Sequence, residues 1–200
     1  VAVNANAKSK EIIMPLDLGG GGFNSIRWMA STRSWVSGTE DVALEKAVFD
    51  LQNIKLGWVK LYNDIAPEFL WDDNGNRHAR PDAEGDENIF GKWRRGFEVQ
   101  VWAPKLFGDD EPRPFMTNAT GACMGIQALY AEFEAQRDDN AGKVPLVEYT
   151  GAEAAKVGKG NTAIPQLTIS KWIDRPDALQ NAAAAEDEPG NDAGNDDAEF

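Results

Sequence analysis

The sequence predicts a mainly β protein in which five strands form a barrel and one helix lies between the third and fourth strands. Three observations lead to this prediction. Apolar and polar residues alternate in several segments, one segment alone has the period of an amphipathic helix, and runs rich in Gly, Pro, Asp and Asn separate them. The hydrophobic fraction of 42% and the seven tryptophans are sufficient for a core.

The two ends differ from this body in composition. Residues 1–22 are small and polar and finish with four glycines, which predicts a flexible N-terminal arm. The last twenty residues contain seven acids and no base, so they carry about half of the net charge of −13. Residues 177–200 are therefore predicted to be a disordered acidic tail, and residues 23–176 a single folded domain.

The first predicted strand spans residues 25–36. Its period of two places Ile26 and Trp28 on one face and Arg27, Arg33 and Trp35 on the other. We expect the second face to be basic with an aromatic residue at its end.

The second predicted strand spans residues 46–62. Its alternation slips at Gln52–Asn53, which favours a bulge within one long strand. The alternative is a helix over residues 42–51 followed by a short strand. Residues 63–91, rich in Asp, Asn, Gly and Pro, predict a long loop.

The third strand and the helix follow. Residues 93–103 alternate, with Arg94 and Trp102 on one face, and residues 105–115 predict a turn-rich connection. Residues 118–137 change to the helical period, with Thr120 as the expected N-cap.

The last two strands, 144–150 and 163–173, are predicted to form a hairpin with Lys156 and Lys159 at its tip. Strict alternation in the second of them places Trp172 on the polar side, opposite Leu167 and Ile169.

This order of elements is that of the OB-fold, a five-stranded Greek-key barrel, although a small α+β sheet with a helix packed on it also fits. Such barrels bind single-stranded nucleic acid by stacking bases on exposed aromatic rings beside Lys and Arg. Trp58 and Trp93 have apolar neighbours and are expected in the core. The candidate nucleic-acid-binding residues combine basic and aromatic side chains on strands or strand tips: Arg27, Arg33, Trp35, Lys55, Lys60, Tyr62, Arg94, Arg95, Trp102, Lys156, Lys159 and Trp172.

Several functional classes are disfavoured. One cysteine, Cys123, and one histidine, His78, exclude a disulfide and the usual Cys/His zinc site, so we expect no metal and no cofactor. Acid pairs such as Asp72 and Asp73 lie in segments of turn composition, and we expect no enzyme. No segment has the length of apolar sequence needed to span a bilayer, so we expect a cytoplasmic protein without membrane contact.

The tip of the tail resembles that of bacterial and phage single-stranded DNA-binding proteins. The matching residues are Asp196, Asp197, Ala198, Glu199 and Phe200. Bacterial tips of this family usually carry proline before the phenylalanine, where this chain has Glu199. The segments DLQNIKLGW, RRGFEVQVW, GKVPLVEYTG and IPQLTISKWIDRP are similar to those of small phage proteins of the same type, over roughly residues 45–176.

The resemblance implies an OB-fold, a linker, and a tip that recruits replication and repair proteins through Asp196, Asp197, Glu199 and Phe200. We therefore expect a non-catalytic, sequence-tolerant protein that binds single-stranded DNA during phage replication or recombination in the host cytoplasm. A homo-oligomer is compatible with this role. The alternative is a phage structural or assembly β-barrel module without affinity for DNA.

Overall fold

The structure is a computed structural model that describes residues 24–61, 67–73, 76–81 and 92–180. The predicted N-terminal arm, Tyr62, most of the predicted loop 63–91 and the tip of the acidic tail lie outside the described residues.

The described chain is mainly β, as the alternation predicts. Its ten strands are Ile26–Met29 (β1), Ser34–Ser37 (β2), Glu40–Val42 (β3), Lys46–Phe49 (β4), Lys55–Lys60 (β5), Glu68–Trp71 (β6), Arg94–Trp102 (β7), Arg113–Thr117 (β8), Lys143–Val157 (β9) and Gly160–Asp174 (β10). Its helices are Pro104–Phe107 (α1) and Thr120–Gln136 (α2), with 3-10 turns at Leu51–Asn53 and Asp138–Asn140. None of the helices in the described ranges is long and apolar enough to cross a membrane.

The strands form two antiparallel sheets and not a five-stranded barrel. The small sheet has the order β1-β2-β3, and the large sheet has the order β10-β9-β4-β7-β5-β6. Strands β4 and β5 both pair with one edge of β7, and β8 pairs with the opposite edge. Within the described ranges the large sheet remains open, so the predicted barrel closure and strand number were wrong.

The predicted first strand is in fact a hairpin. The chain turns at residues 30–33, where Arg33 adopts a left-handed φ of 57°. Trp28 and Trp35 then lie directly opposite each other on β1 and β2, so their side chains share one face. The prediction of a single strand failed because a turn reverses the chain where the alternation continues unbroken.

The predicted second strand is divided between β4 and β5. Both pair with the same edge of β7, and the 3-10 turn Leu51–Asn53 lies between them. The backbone N–H of Asp50 donates to the carbonyl of Gln100 at 2.9 Å, which keeps the interrupted segment beside β7. The prediction of one long strand with a bulge was therefore wrong, because the 3-10 turn divides the segment into two strands. The alternative, a helix over residues 42–51, does not form either.

One face of the large sheet forms the main core. Helix α2 packs on it mainly over β10, where Gly121 and Gly125 approach the backbone at Ala163 and Pro165. The small sheet packs over β8 through Trp35 and Phe115. Residues of β7 and β4 belong to the same core. The inward row of β7 consists of Phe97, Val99 and Val101. Within the described residues, the opposite face of the large sheet carries a smaller cluster, in which Leu179 covers Val48 and Val144. Leu179 is fully buried, so residues 177–180 belong to the fold, whereas residues 177–200 were predicted to be a disordered tail.

A buried ion pair anchors the segment that follows β10. The guanidinium of Arg175 forms two hydrogen bonds with the carboxylate of Asp50, one of them 2.9 Å long, and Asp50 is only 2% exposed. Arg175 also donates to the carbonyl of Leu179 at 3.2 Å. Because a buried carboxylate is stable only when paired, this contact holds the segment after β10 against the start of the 3-10 turn Leu51–Asn53.

Two facing glycines allow β5, β6 and β7 to approach closely. Gly57 and Gly96 are partners in the β5–β7 register. A Cβ on Gly57 would lie 2.3 Å from the carbonyl oxygen of Leu70 and 2.8 Å from Cε3 of Trp71, and a Cβ on Gly96 would lie 2.4 Å from the carbonyl oxygen of Thr117. Glycine in a strand commonly marks such a close approach of backbones.

Substitution of Gly57 tests this contact. Gly57→Ala is expected to lower the free energy of unfolding in urea by about 1–3 kcal/mol, because a methyl group would overlap the backbone of β6. Gly160→Ala is the matched control, since a Cβ there lies 3.8 Å from its nearest neighbour, and its effect should stay within about 0.5 kcal/mol. Equal stability of the two variants would contradict the close approach.

Candidate nucleic-acid interface

The face of the large sheet opposite α2, called the outer face below, carries the polar row of β7. This row consists of Arg94, Gly96, Glu98, Gln100 and Trp102. The predicted placement of Arg94 and Trp102 on one face is therefore confirmed. The row runs along a strand with partners on both edges, so residues of β5, β6, β4 and β8 lie beside it.

Two stacked aromatic rings lie at one end of the outer face. The ring centroids of Phe69 and Trp71, both on β6, are 5.2 Å apart with an angle of 22° between the ring planes. Phe69 is 53% exposed, whereas Trp71 is half-buried against Gly57. These two residues are called the aromatic pair below. Trp71 supports Phe69 from within the sheet and leaves the Phe69 ring accessible.

Strand register places basic residues beside the aromatic pair. Phe69, Val59 and Arg94 form one row across β6, β5 and β7, so the Phe69 and Arg94 side chains point to the same side. Arg94 is exposed and forms no ion pair within the described ranges. Lys55 lies on the same face, with its Nζ 3.5 Å from the Glu98 carboxylate. Phe69 and Arg94 thus share one face, two strands apart, with the buried Val59 between them.

The neighbouring arginine has a different role. Arg95 points to the face that α2 covers, where its guanidinium forms a two-pronged ion pair with Asp72 and lies 5.5 Å from the ring centroid of Trp58. The Trp58 indole N–H donates to the carbonyl of His78 at 2.9 Å, and Trp58 is half-buried, not fully in the core. Arg95 is committed to these contacts, so we assign it to structure and not to ligand binding.

The hydrogen bonds from Arg95 hold the pKa of Asp72 below its ordinary value of 3.8, against the opposing effect of burial. The backbone N–H of His78 also donates to this carboxylate, at 3.2 Å. The hydrogen bonds with Asp72 in turn raise the pKa of Arg95. This network connects the segment after β6 with β7 and thereby holds the aromatic pair in place.

Three predicted contact residues are buried or half-buried in the fold. Trp35 is 1% exposed and packs edge-on against Phe115 with 5.2 Å between centroids, so it cannot stack on a base. Lys60 is only 7% exposed. Trp172 is half-buried, packs 5.6 Å from Phe133 and donates to the side chain of Gln136 at 3.1 Å.

A register shift explains the error for Trp172. The pairing of β10 with β9 shifts between Ile169 and Lys171, so one extra residue is accommodated there. Such a bulge reverses the alternation beyond it. Trp172 consequently lies on the face that α2 covers, and Lys171 lies on the outer face.

The remaining predicted residues are dispersed. Arg27 and Arg33 are exposed but belong to the small sheet, so the structure does not bring them to the outer face. Lys156 and Lys159 lie at the exposed tip of the β9–β10 hairpin, as predicted. Tyr62 and the tail residues Asp196, Asp197, Glu199 and Phe200 lie outside the described ranges.

The aromatic pair was missed because its segment has the composition of a loop. Residues 63–91 are dominated by Asp, Asn, Gly and Pro, but they contain the run EFLW at residues 68–71. The available signal was that Phe69 and Trp71 alternate within this short run of β-forming residues. The described residues contain no group of three or more His, Cys, Asp or Glu side chains placed to hold a metal ion.

The pH dependence of stability tests the Asp72–Arg95 pair. A carboxylate whose pKa is lowered by folding contributes stability above its unfolded pKa and loses that contribution as the pH falls through the folded pKa. The unfolding free energy of the native chain should therefore exceed that of Asp72→Asn by a constant amount from pH 7 to pH 5, and the difference should decrease as the pH falls from about 4 towards the folded pKa, which lies below 3.8. Asp174→Asn, at an exposed carboxylate that forms no ion pair within the described residues, is the control. A difference that already declines above pH 5 would contradict the assignment.

Comparison with known proteins identifies no relative. No protein-family model, no curated protein and no solved structure matches the chain.

Proposed function

We propose that this protein binds single-stranded DNA without strong sequence preference, as a non-catalytic protein of phage replication or recombination. The single observation that carries the proposal is the accessible ring of Phe69, stacked on the half-buried Trp71 and on the same outer face as Arg94, which forms no ion pair within the described residues. Every base offers a flat aromatic surface, so stacking on Phe69 requires no particular sequence. In this proposal Arg94 and Lys55 contact phosphates of the bound strand.

The net charge of the chain does not oppose this function. Phosphate contacts depend on the potential near the bound strand, which falls off within about 10 Å at moderate salt. Seven of the acids belong to the last twenty residues, and residues 1–180 contain 26 acids against 20 bases. In the proposed function, the acidic tip with Asp196, Asp197, Glu199 and Phe200 recruits replication or recombination proteins.

One observation favours the alternative function of a phage assembly module. Leu56 and Leu70 are 49% and 36% exposed, and they lie on the side of β5 and β6 opposite the aromatic pair. Exposed apolar side chains on neighbouring strands suit contact with another protein. The alternative predicts binding to protein and no affinity for DNA.

A titration of the full chain with (dT)12 distinguishes the two functions. Bases that stack on the aromatic pair should quench tryptophan fluorescence, and affinity should fall steeply with salt because phosphate contacts release counterions. Neither quenching nor a mobility shift at low salt would refute the DNA-binding proposal and leave the assembly function.

Substitution of Phe69 tests the stacking contact. Phe69→Ala is expected to weaken (dT)12 binding by about 1–3 kcal/mol, the range found for removal of one stacking platform. Phe69→Tyr retains the ring and should bind almost normally. Since Phe69 is more than half exposed, both variants should unfold at nearly the native urea concentration. Undiminished binding by Phe69→Ala would show that the aromatic pair is not part of a DNA interface.

Two adjacent arginines provide a matched comparison of binding and stability. Arg94→Ala should weaken (dT)12 binding and reduce the slope of log K against log salt by about one, without loss of stability. Arg95→Ala should instead lower the free energy of unfolding, since it leaves the Asp72 carboxylate unpaired. Binding isotherms and urea unfolding curves of both variants measure the two effects. Loss of stability in Arg94→Ala together with loss of binding alone in Arg95→Ala would refute the assignment of Arg94 to binding and Arg95 to stability.

A further inference from the structure

A groove lies at the other end of the outer face, beside Trp102. Register places Trp102, Val48, Leu146 and Lys171 in one row across β7, β4, β9 and β10. The groove next to this row encloses about 540 Å³, and Leu106 contributes a further apolar wall. This volume accommodates a nucleobase, which needs apolar contact with its ring faces.

The Trp102 ring is held at a fixed orientation. Its indole N–H donates to Oδ1 of Asp110 at 2.9 Å, and the ring packs beside the cluster of Val48 and Leu179. Trp102 is nevertheless only half-buried and lines the groove. A tryptophan anchored at its edge and open on one side is a suitable stacking surface.

Three lysines surround the groove. Lys105 and Lys171 are exposed and form no ion pair within the part of the chain that the structure describes. The Nζ of Lys46 lies 3.2 Å from the Glu148 carboxylate, and both side chains are about half exposed. An exposed pair of this kind contributes little to stability, so Lys46 can exchange its carboxylate for a phosphate. Glu45, which also lines the groove, can accept hydrogen bonds from base N–H groups.

We propose that the Trp102 groove is a second nucleobase site, and that one DNA strand follows β7 from the aromatic pair to this groove. This inference rests on the proposed function. It adds the path of the DNA strand over the sheet and the number of nucleotides that the path spans. The aromatic pair lies on β6 and the groove beside β7 and β4, and both open on the outer face of the large sheet. Trp71 is in register with Gly57 and Gly96, and the six residue steps from Gly96 to Trp102 correspond to about 20 Å at about 3.3 Å per residue. The offset of two strands, about 10 Å, lengthens this path only to about 22 Å. A stacked strand advances about 3.4 Å per nucleotide, so about six nucleotides connect the two sites.

The test uses the full chain labelled with 5-fluorotryptophan, with the Trp71 and Trp102 resonances assigned from Trp71→Phe and Trp102→Phe. We expect (dT)12 to shift both resonances in parallel, with one dissociation constant. The trinucleotide (dT)3 is too short to connect the two sites, and its binding curve at Trp71 should be independent of Trp102. Trp102→Leu should therefore weaken (dT)12 binding about 10-fold or more and leave the (dT)3 curve at Trp71 unchanged.

Two matched variants separate stacking from folding and charge. Trp102→Phe loses the hydrogen bond to Asp110 but retains a ring, so its (dT)12 affinity should stay within a few-fold of the native value. Lys105→Gln combined with Lys171→Gln should reduce the salt slope for (dT)12 by about two. The fluorine shifts of the unsubstituted sequence remain informative even if a variant at Trp102 is unstable.

The outcomes distinguish this inference from the proposed function. A shift of Trp71 without a shift of Trp102 on addition of (dT)12 would overturn the second site and leave DNA binding intact. No shift of either resonance would overturn both. A Trp102 resonance that responds to removal of residues 181–200, and not to (dT)12, would assign the groove to peptide and likewise overturn the inference.

Discussion

The alternation of side chains along β7 is the constraint on which the rest of the structure depends. Phe97, Val99 and Val101 are buried in the main core, which also includes residues of α2 and of the small sheet. The backbone of the same strand satisfies its hydrogen bonds with β4 and β5 on one edge and β8 on the other. Since successive side chains of a strand point to opposite faces, the burial of these three residues also determines that Arg94, Gln100 and Trp102 point away from the core.

This division gives the two faces different surroundings. The face under α2 carries the packing of the main core and the contacts of Arg95 with Asp72 and Trp58. On the outer face, Gly57 lets β6 lie close enough for Trp71 to support Phe69, two strands from Arg94. Adjacent arginines thus differ in role because successive side chains of a strand lie in different environments.

Local patterns predicted the elements that depend on few distant contacts. Helix α2, strand β7 and the β9–β10 hairpin with Lys156 and Lys159 at its tip all follow from periodicity within one segment. The turn at residues 30–33 and the shift before Lys171 were not predictable in this way. Each changes the face on which the following side chains lie, and neither interrupts the pattern of apolar and polar residues visibly.

The sequence by itself determined the mainly β class, the single long helix, the concentration of acids in the last twenty residues, and the common face of Arg94 and Trp102. Only the tertiary structure decided which aromatic residues are accessible. Trp35 and Trp172 are covered because of the strands and the helix they meet, whereas Phe69 is exposed because β6 lies at the edge of the large sheet. Exposure depends on residues distant in the chain, and a periodicity within one segment contains no information about them.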